Sequence, residues 1–496
     1  MATNGRFPCL EQDHLDDPTQ SQEEHKKAVV LLDNEIEVLM RKVRQLQFRK
    51  SEHLQKIKYY QGLTTLARRL PPELLASIFD ECVRDGWTRT PLVASHVCSE
   101  WRKATRIPTV WSHVYVNCDA KDPCGRTRFW LQNAASSLLH IILEIKNDAT
   151  HLLGVMSLLL DRISQWRSLT INSVRLSHSD YIFSLCGRPT PELHAVNISV
   201  VQQSDRELSS ADTENLNGLL RAFPLAPRFR TLRISHNLFP AQGTIPCSIT
   251  HLSINLPSHP IPARLSIDTA LRFLNDMPAL ESLSITLERG EAREFHSASI
   301  EDSLVVLPEL RKLTLLGSQD IFKILSHLST PALDSLHLRS SLDPVGHGEV
   351  QTGFHIKRFI ERSSPPLHLF ELHDIDLPLS DFLACFAGLP TLRELRLHES
   401  DITEAVIERF QGPDALCPML SRLDLRWCGQ VTGQTLVQLA RARLGGAHPG
   451  ERVEPVSMMT IINCSFVTEQ DIMDLARLTV CRVVSQPDDY CRQYFV

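Results

Sequence analysis

The chain has 496 residues, of which 43% are hydrophobic and 22% charged, and its formal net charge at pH 7 is -6. This length exceeds what one compact core supports, since single cores stop growing near roughly 250 to 300 residues, so the chain must contain several units or a repeat array. The composition excludes a chain that is disordered throughout. The slightly acidic balance excludes nucleic acid or an anionic membrane as the main partner.

The sequence also bears on the cellular compartment. The amino-terminal segment MATNGRFPCLEQDH contains no apolar stretch of signal-peptide type. The longest apolar run, LLGVMSLLL, ends after nine residues at Asp161, which is too short to span a bilayer. The 13 cysteines lie mostly inside apolar stretches, which favours buried, reduced thiols over disulfides. We therefore expect cytoplasmic and/or nuclear localisation and no membrane partner.

The first part of the chain is predicted to be a tail followed by a helix. Residues 1–22 are rich in Asp, Glu, Gln and Pro, and they are predicted to form a disordered tail. Residues 23–62 are predicted to form a short coiled-coil helix, because apolar residues recur at alternating spacings of three and four. The seam residues are Val29, Leu32, Ile36, Leu39, Val43 and Leu46. Lys50 and His53 interrupt the seam, and we expect residues 29–57 to bind another helix or to self-associate.

The same helix is strongly basic in its second half. Residues 41–60 carry seven Lys or Arg against one Glu, a composition that also occurs in nucleic-acid and membrane patches. Basic residues off the seam of a surface helix usually form its solvated face. We therefore expect no nucleic-acid partner.

Two or three short helices are predicted between residues 66 and 116. Pro71 and Pro72 suit the first turn of a helix, and Glu73 complements the positive end of the helix dipole. A second helix is predicted over TPLVASHVCSEWRKAT. Together these helices form too small a core to be stable alone, so a partner protein is expected to complete it.

From Leu138 onward, short segments of the form apolar-x-x-apolar-x-apolar recur. Their first residues are Leu138, Trp166, Leu193, Phe229, Ile249, Leu280, Leu310, Leu333, Leu367, Leu392, Leu420 and Val456. Gaps of 20 to 36 residues separate them, which is typical of a leucine-rich solenoid with uneven connectors. The predicted fold class is therefore α/β, with an irregular leucine-rich repeat solenoid over residues 117–496. Thr468 and Asp471 predict a capping box in its last repeat.

The alternative is a set of unrelated buried strands in another type of α/β protein. The recurrent spacing disfavours it, and so does the absence of a Gly-rich phosphate-binding loop from the sequence.

Two blocks, LPPELLASIF and VCSEWRKATRIPTVW, resemble the two halves of an F-box, with its Leu-Pro opening, Val-Cys-x-x-Trp-Arg core and closing Trp. The predicted F-box covers residues 66–116, and its flanking sequences look like the F-box-like proteins that some fungi possess in large numbers. The resemblance implies docking on a Skp-type adaptor and a cullin scaffold, with the repeats holding a protein substrate. The adaptor-facing and core residues that it implies are Leu70, Pro71, Leu74, Ile78, Phe79, Val97, Cys98 and Trp101.

The match has two departures from the family pattern. The stretch VRDGWTRT between the blocks is polar and longer than in compact F-boxes, and Thr109 and Val110 stand where Leu often precedes the final Trp. Two functions therefore stay open. One is the substrate-recognition subunit of a Skp-cullin-F-box ubiquitin ligase. The other is a repeat-based interaction scaffold whose F-box is degenerate or serves a complex that does not ubiquitinate.

Motifs of catalysis or of cofactor binding are absent from the sequence. No CxxC pair of the kind that a zinc-bound RING module needs occurs, nor does HExxH, GxSxG, GxGxxG or a P-loop. Cys118 and Cys124 lie six residues apart in a loop-like stretch, and we expect no metal there. We expect that the chain is not an enzyme and has no cofactor.

The substrate is expected to lie across the concave strand face near the carboxyl-terminal repeats, because neighbours of buried strand residues point to the opposite face. The candidate substrate-binding residues are Arg339, Arg396, His398, Arg422, Arg426 and Trp427. The same strip contains His337, Glu371, His373, Glu394 and Asp424. The arginines favour an acidic or phosphorylated ligand. The alternative is an ordinary solvated face on which Glu and Asp pair with the arginines.

Overall fold

The computed structural model divides the chain into two compact units. One comprises residues 1–79 with 92–105, and the other comprises residues 80–91 with 106–496. The structure describes residues 18–64, 70–146, 149–200, 219, 222–235, 248–256, 267–287, 304–317, 319–340, 352–412, 414–445 and 453–484.

The first unit begins with one uninterrupted helix of 47 residues, Pro18–Thr64. This helix starts inside the segment predicted to be a tail, of which residues 1–17 lie outside the described residues. It also continues through Lys50 and His53, because such residues interrupt an apolar seam without ending a helix. The seam side chains are exposed along the helix.

Shorter helices follow, with bounds Pro72–Arg84, Thr90–Val97 and Ser99–Ala104. The first of them begins at Pro72, as predicted, and has Glu73 in its first turn. The single helix predicted over TPLVASHVCSEWRKAT is wrong, because Cys98 has an extended backbone (φ -157°, ψ 175°) and divides it in two. Arg102 Nε donates to the carbonyl of Ser95 at 2.8 Å across this break, which satisfies one acceptor that a continuous helix would have used.

The second unit alternates parallel strands with helical connectors. The strands of its large sheet are His113–Asn117, Leu139–Ile145, Trp166–Ser173, Ala195–Val200, Thr231–Ser235, His251–Leu256, Ser282–Leu287, Lys312–Gly317, Ser335–Ser340, Leu369–His373, Glu394–His398, Arg422–Arg426, Met458–Ile462 and Val480–Val484. The α-helices are Pro123–Ala134, Leu152–Leu160, Leu176–Leu185, Ile267–Asn275, Thr352–Ser363, Leu379–Ala387, Glu404–Glu408, Gly433–Gly445 and Glu469–Ala476. The 3-10 helices are Pro108–Trp111, Ile163–Gln165 and Gln319–His327, and a separate small sheet pairs Val305–Val306 with Leu328–Ser329.

The fourteen strands of the large sheet follow one another in chain order. This is a mixed α/β, repeat-like arrangement, compatible with a solenoid. Each of the twelve apolar segments begins at a strand or within two residues before one. The segment pattern did not predict the first strand, His113–Asn117, or the last, Val480–Val484.

The first strand also moves the boundary between the predicted F-box and the repeats. His113–Asn117 pairs in parallel with Leu139–Ile145, although it lies mostly inside the segment 66–116. Trp111, the closing residue of the F-box match, packs edge-on against Trp130 with ring centroids 5.1 Å apart. Since this Trp and this strand both pack in the second unit, the repeat array starts before residue 117.

Two apolar columns run through the sheet. In strand after strand the second and fourth residues are buried, as Leu395 and Leu397 are in Glu394–His398. In register with them lie Leu423 and Leu425 of the next strand, both buried. A period of two places these side chains on one face, and stacking buries them between neighbouring repeats.

A shared main-chain acceptor precedes each strand across nine successive repeats. In each case one carbonyl accepts two N–H groups of the next repeat, at donor-acceptor distances of 2.8 to 3.2 Å. The carbonyl of His368, for example, accepts from Arg393 and Glu394. The nine acceptors are His194, Arg230, Thr250, Glu281, Arg311, Asp334, His368, Arg393 and Ser421. This shared acceptor sets the register of each strand independently of connector length.

The carboxyl ends of four late strands share a left-handed turn. The residue after the strand has φ between 50° and 53°. Its N–H donates to the last residue of the next strand at 2.7 to 3.1 Å. The four residues are Asp374, Glu399, Trp427 and Asn463. This turn directs the following residue into the interior, where Ser400, Cys428 and Cys464 are buried.

A capping box and a buried arginine stabilise two of the late helical connectors. The capping box of Thr468 and Asp471 is confirmed at the start of Glu469–Ala476. Arg443 is 0% exposed and donates to five main-chain carbonyls, among them Phe410 and Leu420, both at 2.8 Å. Its burial lowers its pKa to about 10. This side chain therefore satisfies carbonyls that loops of neighbouring repeats would otherwise leave unpaired.

We expect Arg443→Ala to lower the free energy of unfolding by about 4 kcal/mol, because it leaves buried carbonyls without donors. Arg441→Ala is the matched control, since Arg441 is exposed on the same helix, and it should change stability by less than about 0.5 kcal/mol. Urea unfolding followed by circular dichroism measures both. Equal stability of the two variants would contradict the role assigned to Arg443.

Candidate functional site

The first candidate surface lies on the helices that carry the F-box resemblance. Of the eight residues implied by that resemblance, Phe79 is buried and packs on Trp101 with ring centroids 5.1 Å apart. Leu74, Ile78 and Val97 are 52%, 47% and 55% exposed. Pro71 is also exposed, and Leu70 and Cys98 are half-buried. The structure thus separates interior residues, which the sequence left undivided, from outward-facing ones.

Val93 belongs to the same kind of surface and was not among the predicted adaptor-binding residues. It is 62% exposed and lies one turn before Val97, as Leu74 lies one turn before Ile78. Residues four apart share one helix face, so each helix presents an apolar pair to solvent. In the sequence, the four-residue spacing between Val93 and Val97 indicates that both lie on the same helix face. We call Leu74, Ile78, Val93 and Val97 the apolar helix face.

The second candidate surface is the polar face of four consecutive strands, from Ser335 to Arg426. One row places His337, Glu371, Arg396 and Asp424 side by side across these strands. The next row is Arg339, His373, His398 and Arg426. The predicted strip therefore exists as two aligned rows. We call it the charged strand face.

Glu371 is the centre of this face and is 0% exposed. Its carboxylate accepts from His337 Nδ1 at 2.8 Å and from Arg339 Nε at 2.7 Å. Arg396 Nη1 lies 3.6 Å away. Arg396 also donates to Glu394 at 2.6 Å, and Arg422 reaches Glu394 at 3.5 Å. Charges of opposite sign therefore alternate from Arg339 to Arg422.

Burial raises the pKa of Glu371, but the hydrogen bond from His337 and the charge of Arg339 outweigh it and bring the pKa to about 2. The pKa of Asp424 is set by the same balance of burial and charge pairing. Burial raises its pKa, and the contacts with His398, at 3.5 Å, and with Arg426 bring it to about 2. Burial lowers the pKa of His373 below its usual value of 6.5. Both carboxylates are therefore ionised at neutral pH, and each offsets an arginine charge.

These ion pairs offset the arginine charges, as in the alternative in which Glu and Asp pair with the arginines. All four arginines lie within 4.0 Å of a carboxylate, and His398 is nearly buried. Arg422 keeps the most accessible side chain, 59% exposed, with its carboxylate contact at 3.5 Å. A reversal of Arg396 to Glu would place three carboxylates together, so such a change would disturb the fold. Arg422 is therefore the better residue to substitute when ligand binding to this face is tested.

Trp427 closes the charged strand face at the end of the strand Arg422–Arg426. Its backbone has φ 52°, a conformation that costs a large side chain about 1 to 2 kcal/mol. The same turn occurs at the corresponding position of neighbouring repeats, so the turn is a feature of the repeat. The sequence gives no sign of it at Trp427, since neither Gly nor Asn is present there.

Earlier strands carry a different surface on the same row. Toward the amino terminus, the row from Thr170 to Thr314 contains small polar residues and a single charge, Arg233. Charges are concentrated from His337 onward. The charged strand face is therefore a local feature of the late repeats.

The described residues contain no group of three or more His, Cys, Asp or Glu side chains that could hold a metal ion. Cys118 is buried, and burial raises its pKa to about 11, which disfavours the thiolate that metals bind. Within the same described ranges, every helix falls short of the length or apolarity needed to cross a membrane.

Comparisons with known proteins do not assign a family. No family model matches the chain, and no curated protein matches it. Among solved structures, a Bacteroides fragilis protein determined by a structural genomics consortium aligns with a TM-score of 0.30 and 12% identity. The alignment covers 72% of this chain and 77% of that chain.

We expect Glu371→Gln to lower the free energy of unfolding by about 2 kcal/mol at pH 7, because it removes the charge that three basic side chains surround. The pKa of Glu371 is depressed from 4.5 to about 2. Its stabilisation is therefore fully present above pH 4.5 and is lost as the pH falls toward 2. Urea unfolding at neutral and acidic pH should show the two proteins converging in acid.

The exposed Glu408 supplies the control for this test. Glu408→Gln should leave stability nearly unchanged at both pH values. A Glu371→Gln protein as stable as the original at neutral pH would show that the buried carboxylate contributes no net stabilisation.

Proposed function

We propose that this chain is the substrate-recognition subunit of a Skp-cullin-F-box ubiquitin ligase. Helices within residues 66–116 would bind the adaptor, and leucine-rich repeats would bind a protein substrate. The observation that carries the proposal is the apolar helix face, whose four large aliphatic side chains are 47% to 62% exposed. Leu74, Ile78 and Val97 lie on the two segments that resemble the halves of an F-box, and Val93 lies one turn before the second segment.

An exposed apolar surface on so small a helical unit is expected to have a partner. Burial of each large aliphatic side chain contributes roughly 1.5 to 3 kcal/mol, so four such side chains can drive specific binding. Phe79, the residue after Ile78, packs against Trp101 and would help to hold the first of these helices rigid. Rigid, central apolar anchors are the usual energetic core of an interface.

The repeat strands support the second half of the proposal. Parallel strands in chain order, with leucine columns between them, agree with leucine-rich repeats as the interpretation of the array. Such arrays bind proteins on an extended strand face. On the charged strand face, charged side chains replace the small, mostly uncharged residues of the earlier strands. We propose this face as the substrate site. Arg422 and Trp427 would make the first contacts.

We expect Leu74→Asp with Ile78→Asp to abolish binding of a Skp-type adaptor, because it places two charges in a dry interface. Ser77→Asp is the matched control, since Ser77 is exposed on the same helix, and it should retain binding. Pull-down with purified adaptor measures both, with circular dichroism to verify folding. A folded double variant that still binds the adaptor would rule out this docking surface.

The original chain also decides between the two functions. Co-purification with both adaptor and cullin supports the receptor. Recovery of repeat-bound proteins without adaptor would instead support the interaction scaffold.

We expect Arg422→Ala with Trp427→Gly to lose substrates trapped when the proteasome is blocked, while adaptor binding is retained. Glycine suits the left-handed backbone at position 427, so the second change removes the indole without adding strain. Arg441→Ala serves as the control for loss of an exposed arginine outside the charged strand face. Mass spectrometry of the trapped proteins measures the effect, and an unchanged set from the folded double variant would place the substrate site elsewhere.

A further inference from the structure

Between Val29 and Leu46, the long helix Pro18–Thr64 presents an apolar seam to solvent. At 1.5 Å per residue its 47 residues extend over about 70 Å. The six seam residues from Val29 to Leu46 are between 47% and 58% exposed. Aliphatic side chains at seven-residue repeats on one helix face are the pattern by which helices supercoil.

The seam residues indicate which side chains would meet in a pair of helices. Val29, Ile36 and Val43 occupy one seam position, and they are β-branched. The other position is occupied by leucine at 32, 39 and 46. In an antiparallel pair of such helices, each β-branched residue of one copy would face a leucine of the other copy.

The charges indicate what the second helix is. Residues 23–37 contain five Glu or Asp against two Lys, whereas residues 41–58 contain seven Lys or Arg against one Glu. The helix is therefore complementary to a reversed copy of itself. We propose that the seam of this helix binds the same seam of a second copy of the chain, with the two helices antiparallel.

The antiparallel arrangement places apolar residues together and keeps polar residues out. The facing pairs would be Val29 with Leu46, Leu32 with Val43, and Ile36 with Leu39, each formed twice in the dimer. Lys50 and His53 would lie beyond the apolar layers. A parallel arrangement would instead place Lys50 against Lys50 of the second copy and bring the two basic halves together, and like charges at such distances repel.

One flanking pair distinguishes the two arrangements. Glu35 and Lys42 both precede a β-branched seam residue by one position. In the antiparallel dimer Glu35 of one copy would lie beside Lys42 of the second, twice by symmetry. In a parallel dimer the neighbours of these two residues would be the uncharged Met40 and Gln47. The proposal does not depend on adaptor or substrate binding.

Sedimentation of the full chain tests the association. We expect a dimer of twice the 56.1 kDa chain mass. Leu32→Glu with Leu39→Glu should shift it to the monomer mass. The control is Leu31→Glu with Val38→Glu, which adds the same charges one residue away on exposed positions outside the seam, and it should remain dimeric. A monomeric original chain, or a trimer, would overturn the proposal.

Charge reversal tests the orientation. Glu35→Lys and Lys42→Glu should each raise the dissociation constant of the dimer about fivefold, since each creates two like-charge contacts. The two changes together should restore the original value. A dimer that neither single reversal weakens would overturn the antiparallel arrangement, as would single effects that the double variant fails to reverse.

Discussion

The structure of the second unit depends on one recurrent main-chain interaction, the carbonyl that accepts two N–H groups from the next repeat. It occurs at nine successive positions from His194 to Ser421, although successive strands of this stretch begin 20 to 36 residues apart. Because the connectors differ so much in length, they cannot set the register of the strands. The shared acceptor at the start of each strand sets it, and the leucine columns then follow from the period of two.

Fixed register is also what brings the charged strand face together. Glu371 meets His337, Arg339 and Arg396 only because three strands stay aligned. A buried carboxylate is unfavourable unless it is paired, and here a one-residue slip of its strand would turn Glu371 to the apolar side, away from its partners. The ion-pair network around Glu371 can therefore form only when the three strands are in the correct register. It also leaves the face close to neutral, so substrate contacts are expected where pairing is weakest, at Arg422.

Much of the fold could be predicted from sequence because the apolar triads are local signals. All twelve triads lie at strands, and the helix start at Pro72 and the capping box at Thr468 are encoded by adjacent residues. The strand His113–Asn117 lacks the triad and was missed. The burial of Glu371 arises from residues 25 to 34 positions away, which no local pattern contains. The sequence likewise did not show that Phe79 is interior and Ile78 exposed, because that difference depends on the packing of Phe79 against Trp101.

We propose that one chain separates adaptor binding, on the apolar helix face, from substrate binding, on the charged strand face. Hydrogen-deuterium exchange of the purified chain, with and without a Skp-type adaptor, tests it most directly. We expect slower exchange on adaptor addition within residues 72–97 and unchanged exchange in the strands from Ser335 to Arg426. Slower exchange in those strands, or no change within residues 72–97, would contradict it.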